Sequence, residues 1–189
     1  DHRGHGSLDL IGAVAKSCDV YFYQLGLRVQ LANMLADGVT MGFKDRTRVD
    51  LVNEVTPTWP ASTAYYDKVY GTRGWSNAVT LNLSIGQGEN TQTLVNMVRF
   101  YAALASETGK SPVPYLVRPD SGEGFDLKLT RDQLNGLRTA LVAVVEQGTA
   151  ARSKTSEFKV AGKTGTAQNP HGDDHGWFIG FAPAEKPEI

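Results

Sequence analysis

Two short runs of residues carry groups that could bind and polarise a substrate. Lys163-Thr164-Gly165-Thr166 offers an ammonium group and two hydroxyls in what reads as the middle of a strand. Ser17-Cys18-Asp19, about 145 residues upstream, offers a hydroxyl, a thiol and a carboxylate. A strand glycine leaves no side chain between the backbone and a ligand. The first run could therefore hold a carboxylate while its backbone polarises a carbonyl.

Each run also has a purely structural interpretation. Ser and Asp favour helix caps and turns, so Ser17-Cys18-Asp19 alone could mark only a chain break. Lys163 alone could be a solvated lysine on an edge strand. The pair is more informative, because Ser-x-Asn or Ser-x-Asp followed much later by Lys-Thr-Gly is two thirds of the signature of penicillin-binding proteins and serine β-lactamases.

The resemblance to this superfamily covers nearly the whole chain, from about Gly4 to Pro183. In order and spacing, five stretches resemble the transpeptidase domain of a class B penicillin-binding protein. Asp19 favours the elongation-specific branch, the penicillin-binding protein 2 type, since division-specific members usually carry Asn there. The stretches are GHGSLDLIGAVAKSCDVYFYQLGL, LNLSIGQGENTQTLVNMVRFYAALA, VVEQGTAARS, VAGKTGTAQ and DHGWFIGFAP.

This resemblance implies a fold and an activity. The fold is α+β, of the penicillin-binding protein/serine β-lactamase type, with an antiparallel sheet packed against helices. Residues 1–189 would be the C-terminal part of a single transpeptidase domain. The activity is cross-linking of peptidoglycan stem peptides: a serine ester forms, D-alanine leaves, and a neighbouring amine takes the acyl group. β-Lactam antibiotics would acylate the same serine.

The resemblance also assigns roles to individual residues. Ser17 would relay a proton to the leaving amine, and Asp19 would hydrogen-bond the substrate amide or the catalytic lysine. Lys163 would face the terminal carboxylate of the substrate. Thr164, Gly165 and Thr166 would bind the substrate, with the backbone N–H of the last as half of an oxyanion hole. One such donor lowers the barrier by about 2.7–4 kcal/mol.

The first motif of the family, Ser-x-x-Lys, has no counterpart before Ser17. The only match is Ser156-Glu157-Phe158-Lys159, in the wrong order. The sequence predicts a strand there, which would place Ser156 and Lys159 on opposite faces, whereas catalysis needs them one helical turn apart. We therefore expect the nucleophile, the general base and three further strands to lie outside residues 1–189, and we expect these residues alone to be inactive.

A structural zinc site is a further prediction from the resemblance. In several elongation-specific relatives a His of GHG and the Cys of SCD bind zinc, which points to His5 and Cys18, with Asp1 as a candidate third ligand. Imidazole and thiolate are common zinc ligands. The alternative is a buried free cysteine and a loop histidine. A second polar cluster reads as solvated turn residues: His171, Asp173, Asp174 and His175.

Composition limits the classes of partner. The chain has 189 residues, a net charge of −1, one Cys and 41% hydrophobic residues. The near-neutral charge gives no reason to expect nucleic acid as a partner. The resemblance implies stem peptides, β-lactams and a membrane glycosyltransferase of the elongation machinery as partners. It also implies a location at the periplasmic face of the inner membrane, with an anchoring helix outside these residues.

Periodicity gives a coarse secondary structure. We predict a helix capped by Ser7, irregular chain over 40–80, a helix over 91–106, and strands over 157–168 and 175–182. Periodicity alone would permit the first helix to continue past Ser17, and the resemblance implies a break near Ser17-Cys18. Thr130 and Gln133 form a predicted capping box for a helix that ends near Gly148. Ser84-Ile85-Gly86-Gln87-Gly88 reads equally as part of the active-site region or as a loop.

Three rival functions remain open at this point. A serine β-lactamase or D,D-carboxypeptidase shares the fold but would hydrolyse the acyl-enzyme. A β-lactam sensor would be acylated once and signal. An inactive remnant would only bind or scaffold. The GHG, SCDVYFY and SIGQG stretches speak against the β-lactamase and the carboxypeptidase. Sensors usually resemble class D β-lactamases, and this chain does not.

Overall fold

The computed structural model describes residues 4–117, 122, 124–169 and 171–189. Over these residues the chain forms seven α-helices, one short 3-10 turn and two strands. None of the helices in the described part is long and apolar enough to cross a membrane. The elements are α1 Leu10–Ala15, α2 Asp19–Val29, α3 Leu31–Thr40, α4 Ala64–Tyr70, α5 Asn77–Ser84, α6 Leu94–Ala105, α7 Arg131–Gln147, the 3-10 turn Ala151–Ser153, β1 Ala161–Ala167 and β2 His175–Phe181.

The chain divides into two compact units. The first unit comprises the described residues of Asp1–Tyr21, Leu104–Gly109 and Lys128–Ile189, and the second comprises those of Phe22–Ala103 and Lys110–Leu127. Each unit combines segments that are distant in sequence. That residues 1–189 belong to a single domain stays a prediction.

Helix α7 is the framework of the first unit, and it packs against both α1 and β1. Its start is the predicted capping box: Thr130 Oγ1 accepts from the backbone N–H of Gln133, whose side chain accepts from the Thr130 N–H. Its buried face belongs to an apolar cluster, so α1 and β1 are anchored to one helix. The cluster consists of Val144, Val145 and Ala150 with Val14 and Val160 at its edge.

Two predicted boundaries in this unit are wrong. Helix α1 is capped by Asp9, whose carboxylate accepts from the Gly12 N–H at 2.8 Å, and not by Ser7. Strand β1 begins at Ala161, so residues 157–160 are not strand. Ser156 and Lys159 therefore lie on neither a strand nor a helix. The predicted strand is therefore not the reason why Ser156 and Lys159 fail as a Ser-x-x-Lys motif. The reason is that they do not lie on a helix, which would place their side chains one turn apart.

The two strands pair antiparallel, with Gly162 opposite Gly180 and Gly165 opposite Trp177. A side chain at Gly162 would lie 2.5 Å from the ring of Phe178, and one at Gly180 would lie 2.4 Å from the Ala161 carbonyl. Both distances are far below van der Waals contact. Gly180 is therefore required by the hairpin backbone itself, whereas a side chain at Gly162 would force the ring of Phe178 to move.

The two ends of this region differ in exposure. Phe158 is 42% exposed, whereas Phe181 is only 5% exposed. The chain after β2 folds back on this region: the Ala184 N–H donates to the Lys159 carbonyl, and the Ala182 N–H donates to the Ile189 carbonyl. Local backbone pairing thus covers the end of β2.

The second unit has its own core around α3. Leu31, Leu35, Trp59, Tyr66 and Leu83 form a buried cluster. The indole N–H of Trp59 donates to the Leu35 carbonyl at 3.0 Å. An aromatic side chain from the following segment is thereby fixed directly on helix α3.

Residues 40–80 are more ordered than predicted, because they contain α4 and the start of α5. Ser76 caps α5 by accepting from the Ala78 N–H. The indole N–H of Trp75 donates to Asp67 at 2.9 Å, and its ring packs near Tyr66. These helices are only seven and eight residues long, too short for a clear periodic pattern.

Candidate active site

The first unit brings the two sequence runs together. Lys163 Nζ, on β1, donates to Ser17 Oγ at 2.9 Å and to the Thr164 carbonyl at 2.9 Å. The first of these contacts joins residues 146 positions apart in the chain. An ammonium group carries three N–H donors, and the described residues accept two of them. One N–H therefore remains for a ligand.

Ser17 occupies a strained backbone position at the end of α1. Its φ is +50°, in the left-handed region. The Ser17 N–H donates to the Val14 carbonyl, and the Cys18 N–H donates to the Ala13 carbonyl at 3.0 Å. This pair of hydrogen bonds is the Schellman motif, whose left-handed residue is usually glycine. A serine in this conformation costs energy that a glycine would not, and such strained positions cluster at functional sites.

Lys163 is half-buried, and its surroundings affect its charge. Burial lowers the pKa of Lys163 below its ordinary value, and the carboxylate of Asp19 acts in the opposite direction. Asp19 is exposed at the first position of α2. It acts on Lys163 through space, since no ion pair between these two side chains is found among the described residues.

Thr149 is a site residue that the sequence analysis missed. Its hydroxyl lies 2.6 Å from that of Thr164, and either can be the donor. The Thr149 N–H also donates to the Ala15 carbonyl. This contact depends on Gly148, where a side chain would lie 2.2 Å from the same carbonyl. The QGTA run, already part of the resemblance, was the available signal.

Gly165 differs from the structural glycines of the hairpin. A Cβ at this position would lie 3.6 Å from the Cβ of Trp177, an ordinary contact. The protein itself therefore has room for a side chain at Gly165. Both Gly165 and Thr166 are exposed. The absence of a side chain at Gly165 is best explained by something that approaches the strand from outside.

The arrangement combines one cation with three hydroxyls along a strand edge. The free N–H of Lys163 and the Thr164 hydroxyl can bind a carboxylate. The Ser17 hydroxyl, whose oxygen already accepts from Lys163, can donate its proton to a ligand atom. A charge-assisted hydrogen bond of this type is stronger than a neutral one. The geometry therefore suits recognition of a carboxylate together with proton transfer.

The SIGQG run, Ser84 to Gly88, begins at the last residue of α5 in the second unit. Gly86 and Gly88 both have φ of +79°. The Gln87 N–H donates to the Asn82 carbonyl at 2.9 Å. The run is thus a tight turn that needs two left-handed residues. Its predicted role beside the active site stays a prediction.

The predicted zinc ligands are only partly described. Cys18 is buried and reduced, and His5 is half-buried. Asp1 lies outside the described residues. In the described part of the chain, no three His, Cys, Asp or Glu side chains are grouped closely enough to hold a metal. That finding includes the turn at His171, Asp173, Asp174 and His175, whose residues are exposed. The described residues therefore do not fit a complete zinc site.

Comparison with known proteins assigns the family. The family profile described as "Penicillin binding protein transpeptidase domain" matches residues 1–189. The chain therefore belongs to the penicillin-binding protein transpeptidase family. This confirms the resemblance stated from the sequence motifs.

Individual relatives point to the elongation-specific branch. The chain is 31% identical to the peptidoglycan D,D-transpeptidase MrdA of Acinetobacter baumannii over 98% of its own length and 31% of the relative's. It matches the Helicobacter pylori PBP2 in complex with MreC with a TM-score of 0.87 and 31% identity, over 99% of this chain and 36% of that one.

A third match is the Pseudomonas aeruginosa PBP2 in complex with WCK 5153. Its TM-score is 0.86 at 30% identity, over 98% of this chain and 42% of that one. The chain spans about a third of the length of the curated relatives it matches. The α+β penicillin-binding protein fold predicted from the sequence is confirmed by these structural matches.

The strained conformation of Ser17 generates a prediction that separates backbone from side chain. Ser17→Gly removes the hydroxyl and relieves the left-handed conformation, whereas Ser17→Ala removes the hydroxyl alone. A left-handed residue costs about 1–2 kcal/mol without a glycine. We expect Ser17→Gly to exceed Ser17→Ala in free energy of unfolding by about 1 kcal/mol, measured by urea denaturation. Equal stabilities would contradict the strain.

Proposed function

We propose that this chain carries the second and third motifs of a peptidoglycan D,D-transpeptidase of the elongation-specific type. The hydrogen bond between Lys163 Nζ and Ser17 Oγ is the observation that carries the proposal. It joins the Ser-x-Asp and Lys-Thr-Gly motifs into one site within one compact unit. The relatives named D,D-transpeptidases support the reaction.

The proposed substrate is a stem peptide that ends in two D-alanines. Its terminal carboxylate would bind the remaining N–H of Lys163 and the hydroxyl of Thr164, which Thr149 orients. The scissile carbonyl would lie along the exposed strand at Gly165, with the backbone N–H of Thr166 directed at its oxygen. Negative charge that develops on this oxygen would then meet a fixed donor.

Proton transfer in acylation would pass through Ser17. A serine of a Ser-x-x-Lys motif outside residues 1–189 attacks the amide carbonyl, and the lysine of that motif takes its proton. Ser17 Oγ accepts this proton and gives its own to the departing D-alanine nitrogen, so the C–N bond breaks and an amine leaves. Lys163 holds Ser17 Oγ in place during the transfer, and Asp19 keeps the site's charge balanced.

Deacylation would reverse this path with a different acceptor. The amine of a neighbouring stem peptide attacks the serine ester, loses a proton through Ser17, and forms the cross-link. A β-lactam would acylate the same serine and use the same carboxylate site. Hydrolysis in place of aminolysis would instead indicate a carboxypeptidase or β-lactamase, which product analysis distinguishes.

The partners and location follow from the proposed activity. The substrate lies at the extracytoplasmic face of the inner membrane, so the protein would act there. A membrane glycosyltransferase would supply the strands to be cross-linked. A complex of the Helicobacter pylori PBP2 with MreC supports participation in a larger assembly.

The first functional prediction concerns Lys163. In the full-length protein, Lys163→Ala should reduce acylation by a fluorescent penicillin at least about 100-fold, since it removes charge-assisted hydrogen bonds to substrate and Ser17. The measurement is the acylation rate from gel fluorescence. Lys159→Ala is a matched control, because Lys159 is exposed and pairs only with Glu185. Unchanged acylation in a folded Lys163→Ala protein would remove Lys163 from the site.

The second functional prediction separates two glycines of β1. Gly165→Ala should fold normally but lose most acylation, because the added methyl group lies where the substrate approaches. Gly162→Ala should be destabilised by about 1–3 kcal/mol through overpacking against Phe178. Thermal unfolding and penicillin labelling of both variants test this. Full labelling of Gly165→Ala would show that no ligand approaches the strand there.

A structural zinc is a separate proposal from the resemblance. It would use Cys18 and His5 together with Asp1 or residues outside this chain. Metal ligation contributes directly to folding, so Cys18→Ser should reduce both the copurified zinc and the melting temperature of the full-length protein. Elemental analysis measures the zinc. A zinc-free wild-type protein would leave Cys18 as a buried free thiol.

A further inference from the structure

A cavity of about 490 Å³ lies within the second unit and contains none of the residues of the candidate active site. Its size falls in the range of small-molecule sites, about 300–1,000 Å³. Its wall carries more positive than negative charge. The lining residues that matter are Arg46, Arg48, Arg99, Asp45, Gly42 and Phe125.

Arg99 is the unusual residue of this wall, since it is a guanidinium that is only 6% exposed. Its Nη2 donates to the Gly42 carbonyl at 3.1 Å, while its buried Nε has no acceptor among the described residues. The guanidinium lies 5.1 Å from the ring centre of Phe125. A buried charge with so few partners is costly, and an anion in the cavity would offset this cost.

The nearest carboxylates do not neutralise Arg99 by direct contact. Glu54 acts on it electrostatically, but its oxygens accept from the Thr47 N–H and hydroxyl at 2.6 Å and from the Arg48 N–H at 3.0 Å. Asp45 also acts on Arg99 at a distance. Neither forms an ion pair with it among those found in the described part of the chain.

Arg46 gives the cavity a second oriented cation. The Arg46 Nε donates to Thr56 Oγ1 at 2.7 Å. This hydrogen bond uses one of the five N–H donors of Arg46 and orients the plane of its guanidinium group. The side chain is exposed and lines the same cavity as Arg99. Planar guanidinium groups match the geometry of carboxylates and phosphates.

We infer that this cavity binds a carboxylate group of a small molecule or peptide, held by Arg99 and Arg46 with Phe125 beside it. The carboxylate of Asp45 lines the same cavity among the described residues, so a ligand with a single negative charge suits the site better than a phosphate dianion. The ring of Phe125 suits the organic part of such a ligand. The site is independent of the proposed transpeptidase reaction, because it uses none of the residues assigned to that reaction.

Ligand-induced stabilisation of the full-length protein tests this site. Thermal unfolding is followed with increasing N-acetylglycine, inorganic phosphate or chloride at constant ionic strength, because a ligand that binds the native state raises the midpoint with its concentration. We expect N-acetylglycine to raise the midpoint more than phosphate does, and chloride to have no effect. The concentration dependence gives an apparent dissociation constant.

Three variants locate the binding without replacing the buried Arg99. Arg46→Gln should raise the apparent dissociation constant about tenfold, and Asp45→Asn should lower it because a like charge is removed. Arg28→Gln is the matched control, since Arg28 is an exposed arginine of the same unit outside the cavity. It should retain wild-type binding.

The outcomes are decisive in both directions. No stabilisation of the wild type by N-acetylglycine or by phosphate overturns the site, as does an equal effect of N-acetylglycine in wild type and Arg46→Gln. Stabilisation by phosphate with none by N-acetylglycine overturns the choice of a carboxylate. Weaker binding in Asp45→Asn contradicts the proposed charge balance. Penicillin labelling is a separate readout, so a failure here leaves the transpeptidase proposal intact, and the reverse also holds.

Discussion

The contact between the Lys163 ammonium and the Ser17 hydroxyl is the interaction around which the first unit is organised. It joins a strand near one end of the chain to a helix junction near the other. Helix α7 makes it possible, because its apolar face packs against both α1 and β1. The ammonium is half-buried among hydroxyl and carbonyl oxygens, and this burial lowers its pKa. A lysine with a lowered pKa releases its proton more readily than a lysine in water. While it is protonated, its charge acts more strongly on a bound ligand, because the surroundings are less polar than water.

The geometry of the candidate active site depends on glycines that allow two segments of the chain to approach each other closely. Gly148 allows the end of α7 to touch the Ala15 carbonyl, which positions Thr149 beside Thr164. Gly162 allows Phe178 to cross the hairpin. Gly165, by contrast, is exposed, and a Cβ there would make only an ordinary contact with Trp177. Glycines in this unit thus either allow close packing or leave the strand open to a ligand. Only the distances to neighbouring atoms show which of the two applies to a given glycine.

Each unit contains one cation that is largely withdrawn from solvent, Lys163 in the first unit and Arg99 in the second. Lys163 has two acceptors at 2.9 Å and one donor left for a ligand. Arg99 has a carbonyl, an aromatic ring and a buried Nε without an acceptor among the described residues. In both places the opposing carboxylates act through space and not by direct ion pairing. Burial lowers the pKa of both cations, and groups with shifted pKa values cluster at functional sites.

The sequence by itself determined the family, the α+β class, the capping box of α7 and the helix over Leu94–Ala105, and the resemblance to the family implied the break between α1 and α2. These features can be recognised from residues that are close together in the chain. A capping box needs its two residues three positions apart, and each family motif is a short run of residues. The sequence did not reveal Thr149, the left-handed Ser17, the buried Phe181 or the cavity around Arg99. Each of these depends on segments that are far apart in the chain and meet only on folding. Tertiary structure decided them because burial, close approach and unpaired charge are properties of neighbours in space.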